Sequence, residues 1–281
     1  MLPQKFALAV HDISCVGRCS LTVALPILSA AGVQCGCLPT AVLSTHTGGF
    51  TGYTYRDLTA DVRPIERHWQ SLGLRFDAIY SGYLGSAEQI ALVEELFENV
   101  AGESCLRLVD PVMADNGRLY PGFAPDFPQQ MKSLCARADI IIPNLTEACL
   151  MLNLPYREGP MEESYVREVL QGLGEMGRAV PVLTGVWFDE QNLGTATLQN
   201  GEISYSFAKR QAGLYHGTGD VWGSAFLAAR LNGKTIPQAC LTACEYTAEC
   251  VRITSADQSD ARFGVRFEAA LPMLIKAVAP Q

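Results

Sequence analysis

Ala78-Ile79-Tyr80-Ser81, then Ser86-Ala87-Glu88-Gln89-Ile90, then Leu106-Arg107-Leu108-Val109-Asp110-Pro111: the fold turns on this stretch. The first apolar run is short and reads as a buried strand. Ser86 and Gln89 form a capping-box pattern ahead of the apolar face Ile90, Val93, Leu96 and Phe97, so a helix follows. The next run is a second strand, closed by Asp110-Pro111. A strand, a helix and a strand in succession point to a parallel sheet covered by helices.

The same alternation extends in both directions. Lys5–Val10 reads as a strand ended by His11 and Asp12, and Ser20–Ala31 as a helix stopped by Gly32. Val33–Val42 is extended. Pro64 suits a first helical turn, with the helix reaching about Leu72. Asp139–Ile142 is a strand that ends in Pro143-Asn144, Glu162–Glu175 a helix, and Val180–Thr184 a strand followed by Gly185. Leu193–Leu198 and Glu202–Ala208 are joined at Asn200-Gly201, a strong hairpin signal. Helices are expected over Asp220–Leu231, Pro237–Ser255 and Phe267–Val278. The expectation is one α/β domain over residues 1–281, with three αβα layers, a mostly parallel central sheet and helices on both faces. Ser44–Tyr55 is rich in Thr, Gly and Tyr, too polar for core, and is expected to form a small flap.

Composition narrows the function. Of 281 residues, 48% are apolar and 18% charged, and the net charge is −8, enough for a large core. Long basic runs are absent, which argues against a nucleic-acid or anionic-membrane surface. No apolar run approaches the roughly 18 residues of a membrane span. The Phe6–Val10 run is too short for a signal-peptide core, so a soluble, cytoplasmic protein is expected. The ten cysteines contain no C-x2-C pair, so they are expected to be reduced and apolar in role.

Several site motifs are missing. No G-x-G-x-x-G follows a strand, G-x-S-x-G and H-E-x-x-H are absent, and Gly233-Lys234-Thr235 has Ala228 where a P-loop needs Gly. That triplet reads as a helix terminator. What remains is Gly217-Thr218-Gly219-Asp220 at the start of an apolar helix. Glycines let backbone approach a ligand, and free amides at a helix start attract anions. A carboxylate there is steadied by the helix dipole and can accept a hydroxyl proton. Read alone, the four residues serve equally well as an ordinary N-cap. Polar residues at other strand ends, Asp110, Asn144, Glu147 and Thr184, favour a site, because ligands in such sheets lie beyond the carboxyl ends of the strands.

Taken in order, His11-Asp12-Ile13-Ser14, Ser44-Thr45-His46-Thr47-Gly48, Ser81-Gly82-Tyr83-Leu84-Gly85, Asp110-Pro111-Val112-Met113, Pro143-Asn144-Leu145-Thr146-Glu147 and Gly217-Thr218-Gly219-Asp220 resemble the ribokinase-like superfamily, more narrowly its pyridoxal kinases. The resemblance runs from His11 to about Leu231. It implies a kinase that phosphorylates the 5′-hydroxyl of a B6 vitamer with ATP. Asp220 would be the base, and the amides of Gly217, Thr218 and Gly219 would hold the transferring phosphoryl group. Asn144 and Glu147 would organise Mg2+, with Asp110 near the phosphates and the metal, and Thr184 and Thr218 would touch the nucleotide. Ser14, His46, Thr47 and Tyr83 would face the vitamer, and Tyr120 would lie in a covering loop. A monovalent cation such as K+ and a homodimer are implied in the same way. The chain departs from many relatives at Gly49-Phe50, and its Asp115-Asn116-Gly117-Arg118 loop is shorter than in animal relatives. Kinases of hydroxymethylpyrimidine usually carry Cys where this chain has Asp220, and a non-catalytic vitamer-binding protein is the alternative from another class.

Overall fold

The computed structural model describes residues 4–213, 215–257 and 260–279. The strands are β1 (Phe6–Val16), β2 (Gln34–Thr45), β3 (Tyr55–Asp57), β4 (Phe76–Ser81), β5 (Ala101–Val109), β6 (Ala114–Asp115), β7 (Arg118–Leu119), β8 (Ile140–Ile141), β9 (Val180–Val186), β10 (Asn192–Gln199) and β11 (Glu202–Lys209). The helices are α1 (Leu21–Ala30), α2 (Thr59–Ser71), α3 (Ala87–Asn99), α4 (Phe127–Arg137), α5 (Leu145–Leu152), α6 (Glu163–Gly174), α7 (Thr218–Leu231), α8 (Ile236–Ala256) and α9 (Leu271–Val278). One nine-stranded sheet runs β11-β10-β9-β8-β5-β4-β1-β2-β3. The strands from β2 to β9 in that order pair in parallel, and β3, β10 and β11 are antiparallel additions at the two edges.

The near-continuous apolar runs are explained by burial on both faces. Ala7, Ala9, Ala78 and Tyr80 point into a core shared with α1, α7, α8 and α9. Their neighbours Leu8, Val10 and Ile79 point into a second core lined by α3 to α6. The expected α/β, three-layer αβα architecture is therefore observed.

Three local readings are corrected. β1 does not stop at His11; it continues to Val16, because pairing with β2 resumes at Ile13↔Val42 after an irregularity opposite Asp12. Pro64 lies inside α2, not in its first turn. It sits on the exposed face, where the carbonyl left without a donor meets water. The last expected helix begins as a 3-10 turn over Phe267–Ala270 before α9. The Asn200-Gly201 hairpin forms as read, both residues at positive φ, and Gly233 at φ 88 ends α7. Helices α4 and α5 were not anticipated. Neither was the β6–β7 hairpin, whose turn is Asn116-Gly117.

Candidate active site

Asp220 occupies the third position of α7 and its side chain is 16% exposed. The helix starts at Gly217, whose φ of 75° suits glycine. A Cβ there would also overlap the carbonyl oxygen of Arg18. The start of α7 is thus seated on the loop that follows β1. No side chain caps the helix, and a Cβ on Gly219 would meet nothing within 4 Å. Open space in front of uncapped amides is an anion site in waiting. Thr218 turns its hydroxyl back to the Tyr215 carbonyl, 3.3 Å away.

The Asp220 carboxylate is held from below. Ser20 N–H donates to its Oδ2 at 2.8 Å, and His11 Nδ1 lies 3.8 Å from its Oδ1. His11 is fully buried between Tyr80 and Gly82, and neither ring nitrogen has a partner among the described residues. Burial lowers its pKa to about 3, so the ring is neutral. Burial, aided by the charge of Asp12, pushes the Asp220 carboxyl up to about 7 against the pull of the Ser20 amide.

Asp110 follows β5 and is 8% exposed; its carboxylate accepts no hydrogen bond among the described residues. Burial raises it well above the usual carboxylate range, with Glu147 and Asp220 adding repulsion. Glu147 is raised by burial as well, although amides oppose the shift. Its Oε1 accepts from Met113 N at 3.2 Å and its Oε2 from Asn144 N at 2.9 Å. Asn144 Oδ1 accepts from Glu147 N at 2.9 Å, completing a capping box for α5, while Asn144 Nδ2 donates to Ala114 O at 2.9 Å. N-x-x-E therefore has an architectural task here: it locks Glu147 beside Asp110. Thr184 closes the neighbouring strand end, its hydroxyl donating to Pro143 O at 3.2 Å.

These buried carboxylates have no Lys or Arg ion partner among the described residues. An uncompensated group of this kind fits a cation better than it fits an apolar core. No three His, Cys, Asp or Glu side chains among the described residues form a complete metal cage. Magnesium does not require one, because it keeps waters and binds substrate phosphates.

The residues expected to face the vitamer divide into two groups. Thr47 is exposed, and Tyr83 is half-buried with its ring 5.7 Å from Phe123. Ser14 is fully buried and donates to Asp12 Oδ2 at 3.1 Å. His46 is also spoken for: Nδ1 accepts from Gly48 N at 3.1 Å, which leaves Nε2–H to donate to Arg262 O at 2.5 Å. The flap expected over Ser44–Tyr55 is the connection between β2 and β3. It is tethered through His46 and through Phe50, which packs on Phe263 beneath the Arg262 guanidinium. Tyr120 follows the β6–β7 hairpin, and its N–H donates at 2.9 Å to the carbonyl of Met113, the residue whose own amide holds Glu147.

Asp12 and Ser20 were not picked out as site residues. The available signal is a charged residue directly after an apolar strand core, a pattern that reads equally well as the end of a strand.

The phosphomethylpyrimidine kinase family model matches residues 25–264. Among solved structures, a Bacteroides thetaiotaomicron protein crystallised with pyridoxal and assigned to the phosphomethylpyrimidine kinases is 36% identical, with a TM-score of 0.91 and 96% of each chain covered. Pyridoxal kinase from Lactobacillus plantarum is 32% identical, with a TM-score of 0.90 and 97% of each chain covered. Pyridoxal kinase PdxY of Actinobacillus pleuropneumoniae is 29% identical over 195 residues, which span 62% of this chain and 61% of that protein.

Proposed function

We propose the chemistry of this site from one premise: the chain belongs to the phosphomethylpyrimidine kinase family, in the ribokinase-like superfamily. It is an ATP-dependent kinase that phosphorylates the hydroxymethyl group of a B6 vitamer. Two relatives above 30% identity support the substrate, one crystallised with pyridoxal and the other named for it. The observation that carries the reading is Asp220, steadied by Ser20 N–H beside the uncapped, open start of α7.

The vitamer hydroxyl loses its proton to Asp220 as its oxygen bonds to the γ-phosphorus of ATP, and the bond to the ADP oxygen breaks. Amides of Gly217, Thr218 and Gly219 take up charge on the transferring group, and positioning supplies most of the rate. Asp110 and Glu147 would hold Mg2+ directly or through water, and the ion would offset charge on the phosphates. Asn144 keeps Glu147 in place, while Thr184 and Thr218 border the nucleotide. Thr47 and Tyr83 contact the vitamer, with Ser14 and His46 acting behind them through their buried hydrogen bonds. A monovalent cation such as K+ rests on the resemblance alone.

A single domain is favoured by one sheet shared between both cores. A homodimer likewise rests on the resemblance alone. A cytoplasmic setting agrees with ATP use and with ten free cysteines. No helix among the described residues is long and apolar enough to cross a membrane.

The family description favours a second reading, a hydroxymethylpyrimidine kinase. ADP release with pyridoxal, pyridoxamine, pyridoxine and hydroxymethylpyrimidine decides between them. A kcat/KM higher for the pyrimidine than for every vitamer overturns the assignment. Thr47→Ala should raise KM for the vitamer about tenfold with little change in kcat. An unchanged KM removes Thr47 from the binding site. Glu147→Gln should raise the Mg2+ concentration for half-maximal rate by about 10–100-fold. A Mg2+ titration identical to wild type sinks that role.

A further inference from the structure

We propose that Ser20 is a positioning residue for Asp220, fastened by Asp12, so that a strained turn at the end of β1 aims the catalytic carboxylate. The inference rests on the reading of Asp220 as base.

Ser20 has φ 56° and ψ −132°, a conformation that glycine adopts freely and other residues rarely. It is also the N-cap of α1. A serine there ordinarily turns its oxygen to an amide of the first turn. This one makes no such bond. Its hydroxyl donates instead to Asp12 Oδ1 at 2.6 Å, a charge-assisted contact in a buried setting. Asp12 is 5% exposed, and its other oxygen accepts from Ser14. A backbone that would prefer glycine and a helix that lacks its cap are thus both tolerated around one contact. Its consequence is the direction of the Ser20 N–H, which meets Asp220 Oδ2 at 2.8 Å across 200 residues of sequence.

The loop is braced on both sides. Thr22 Oγ1 donates to Cys19 O at 2.7 Å, and Arg18 N donates to Phe263 O at 3.0 Å. The Arg18 carbonyl lies so close to Gly217 that a Cβ there would overlap it, so the loop is packed directly against the start of α7. The carboxylate can then be held near its attack geometry before substrate arrives.

Ser20→Gly separates positioning from folding. Glycine relieves the strained φ and keeps the N–H, but it loses the tie to Asp12. The relieved backbone offsets the tie lost at Asp12, so the expected result is a melting temperature close to wild type, kcat for pyridoxal lowered about 10–100-fold, and KM for ATP within about twofold. Placed in an Asp220→Asn background, Ser20→Gly should cause no further loss. Unchanged kcat in Ser20→Gly overturns the proposal. So does a loss of kcat that comes with a large drop in melting temperature, or a loss that adds fully to that of Asp220→Asn. Full activity of Asp220→Asn alone overturns the underlying assignment of the base. An inactive Asp220→Asn beside a normal Ser20→Gly overturns the positioning role only.

Discussion

Asp220→Asn is expected to lower kcat by about 10²–10⁴-fold, the usual contribution of the general base that Asp220 is proposed to be. That corresponds to roughly 3–5 kcal/mol of barrier. The amide keeps the shape and can still accept from Ser20 N–H, so substrate and nucleotide should bind nearly as before. The wild-type rate should also depend on pH. Burial pushes the Asp220 carboxyl up to about 7, and the base works only when ionised, so kcat/KM rises as pH rises through about 7. The acidic limb should be absent from whatever activity Asp220→Asn retains. An enzyme equally active at low and neutral pH, or a variant with wild-type turnover, would remove Asp220 from the role.

The same carboxylate carries a stability cost. Its folded pKa lies above the unfolded one, so the cost is absent below the ordinary carboxylate pKa and grows as pH rises. It is complete above about 7 and amounts to at most about 4 kcal/mol. Asp220→Asn should therefore gain stability over wild type between acid and neutral pH. Urea midpoints on both sides of that window measure the gain, and a margin that shrinks with rising pH contradicts it.

The second large effect is a contrast between two glycines of one turn. Gly217→Ala sets a β-carbon at positive φ and against the Arg18 carbonyl. The backbone term alone is about 1–2 kcal/mol, and the overlap adds about 1–3 kcal/mol. Folding and activity should fail together. Gly219→Ala has open space around its new methyl, and inside a helix it should stabilise by about 0.5–1 kcal/mol. If the phosphates lie against the free amides as proposed, they lie beside the residue that carries this methyl. We expect kcat/KM for ATP to fall at least about tenfold with no loss of melting temperature. A fully active Gly219→Ala would mean that the phosphates lie elsewhere.

Most of the architecture could be read along the chain because its causes are local or nearly so. Apolar runs with polar ends became strands, Asn200-Gly201 became the hairpin, and Gly217 and Asp220 stand at the start of α7 as expected. The misreadings have physical reasons. Pro64 suited a helix start, but an exposed helical face tolerates it. Asp12 reads as the end of a strand because a charge in a core is costly. Two serine hydroxyls make that charge tolerable, and neither pairing is marked in the local pattern.

By itself, then, the sequence determined the layered sheet and the helix whose open start carries Asp220, because backbone propensity and the burial pattern act over a few residues. Only the tertiary structure decided what that carboxylate touches. Ser20 lies 200 residues from it in the chain, and a hydrogen bond over that distance depends on how α1 and α7 pack on one face of the sheet. The inward turn of Ser14 and the tethering of His46 to Arg262 were decided in the same way, by donors and acceptors that only folding brings together.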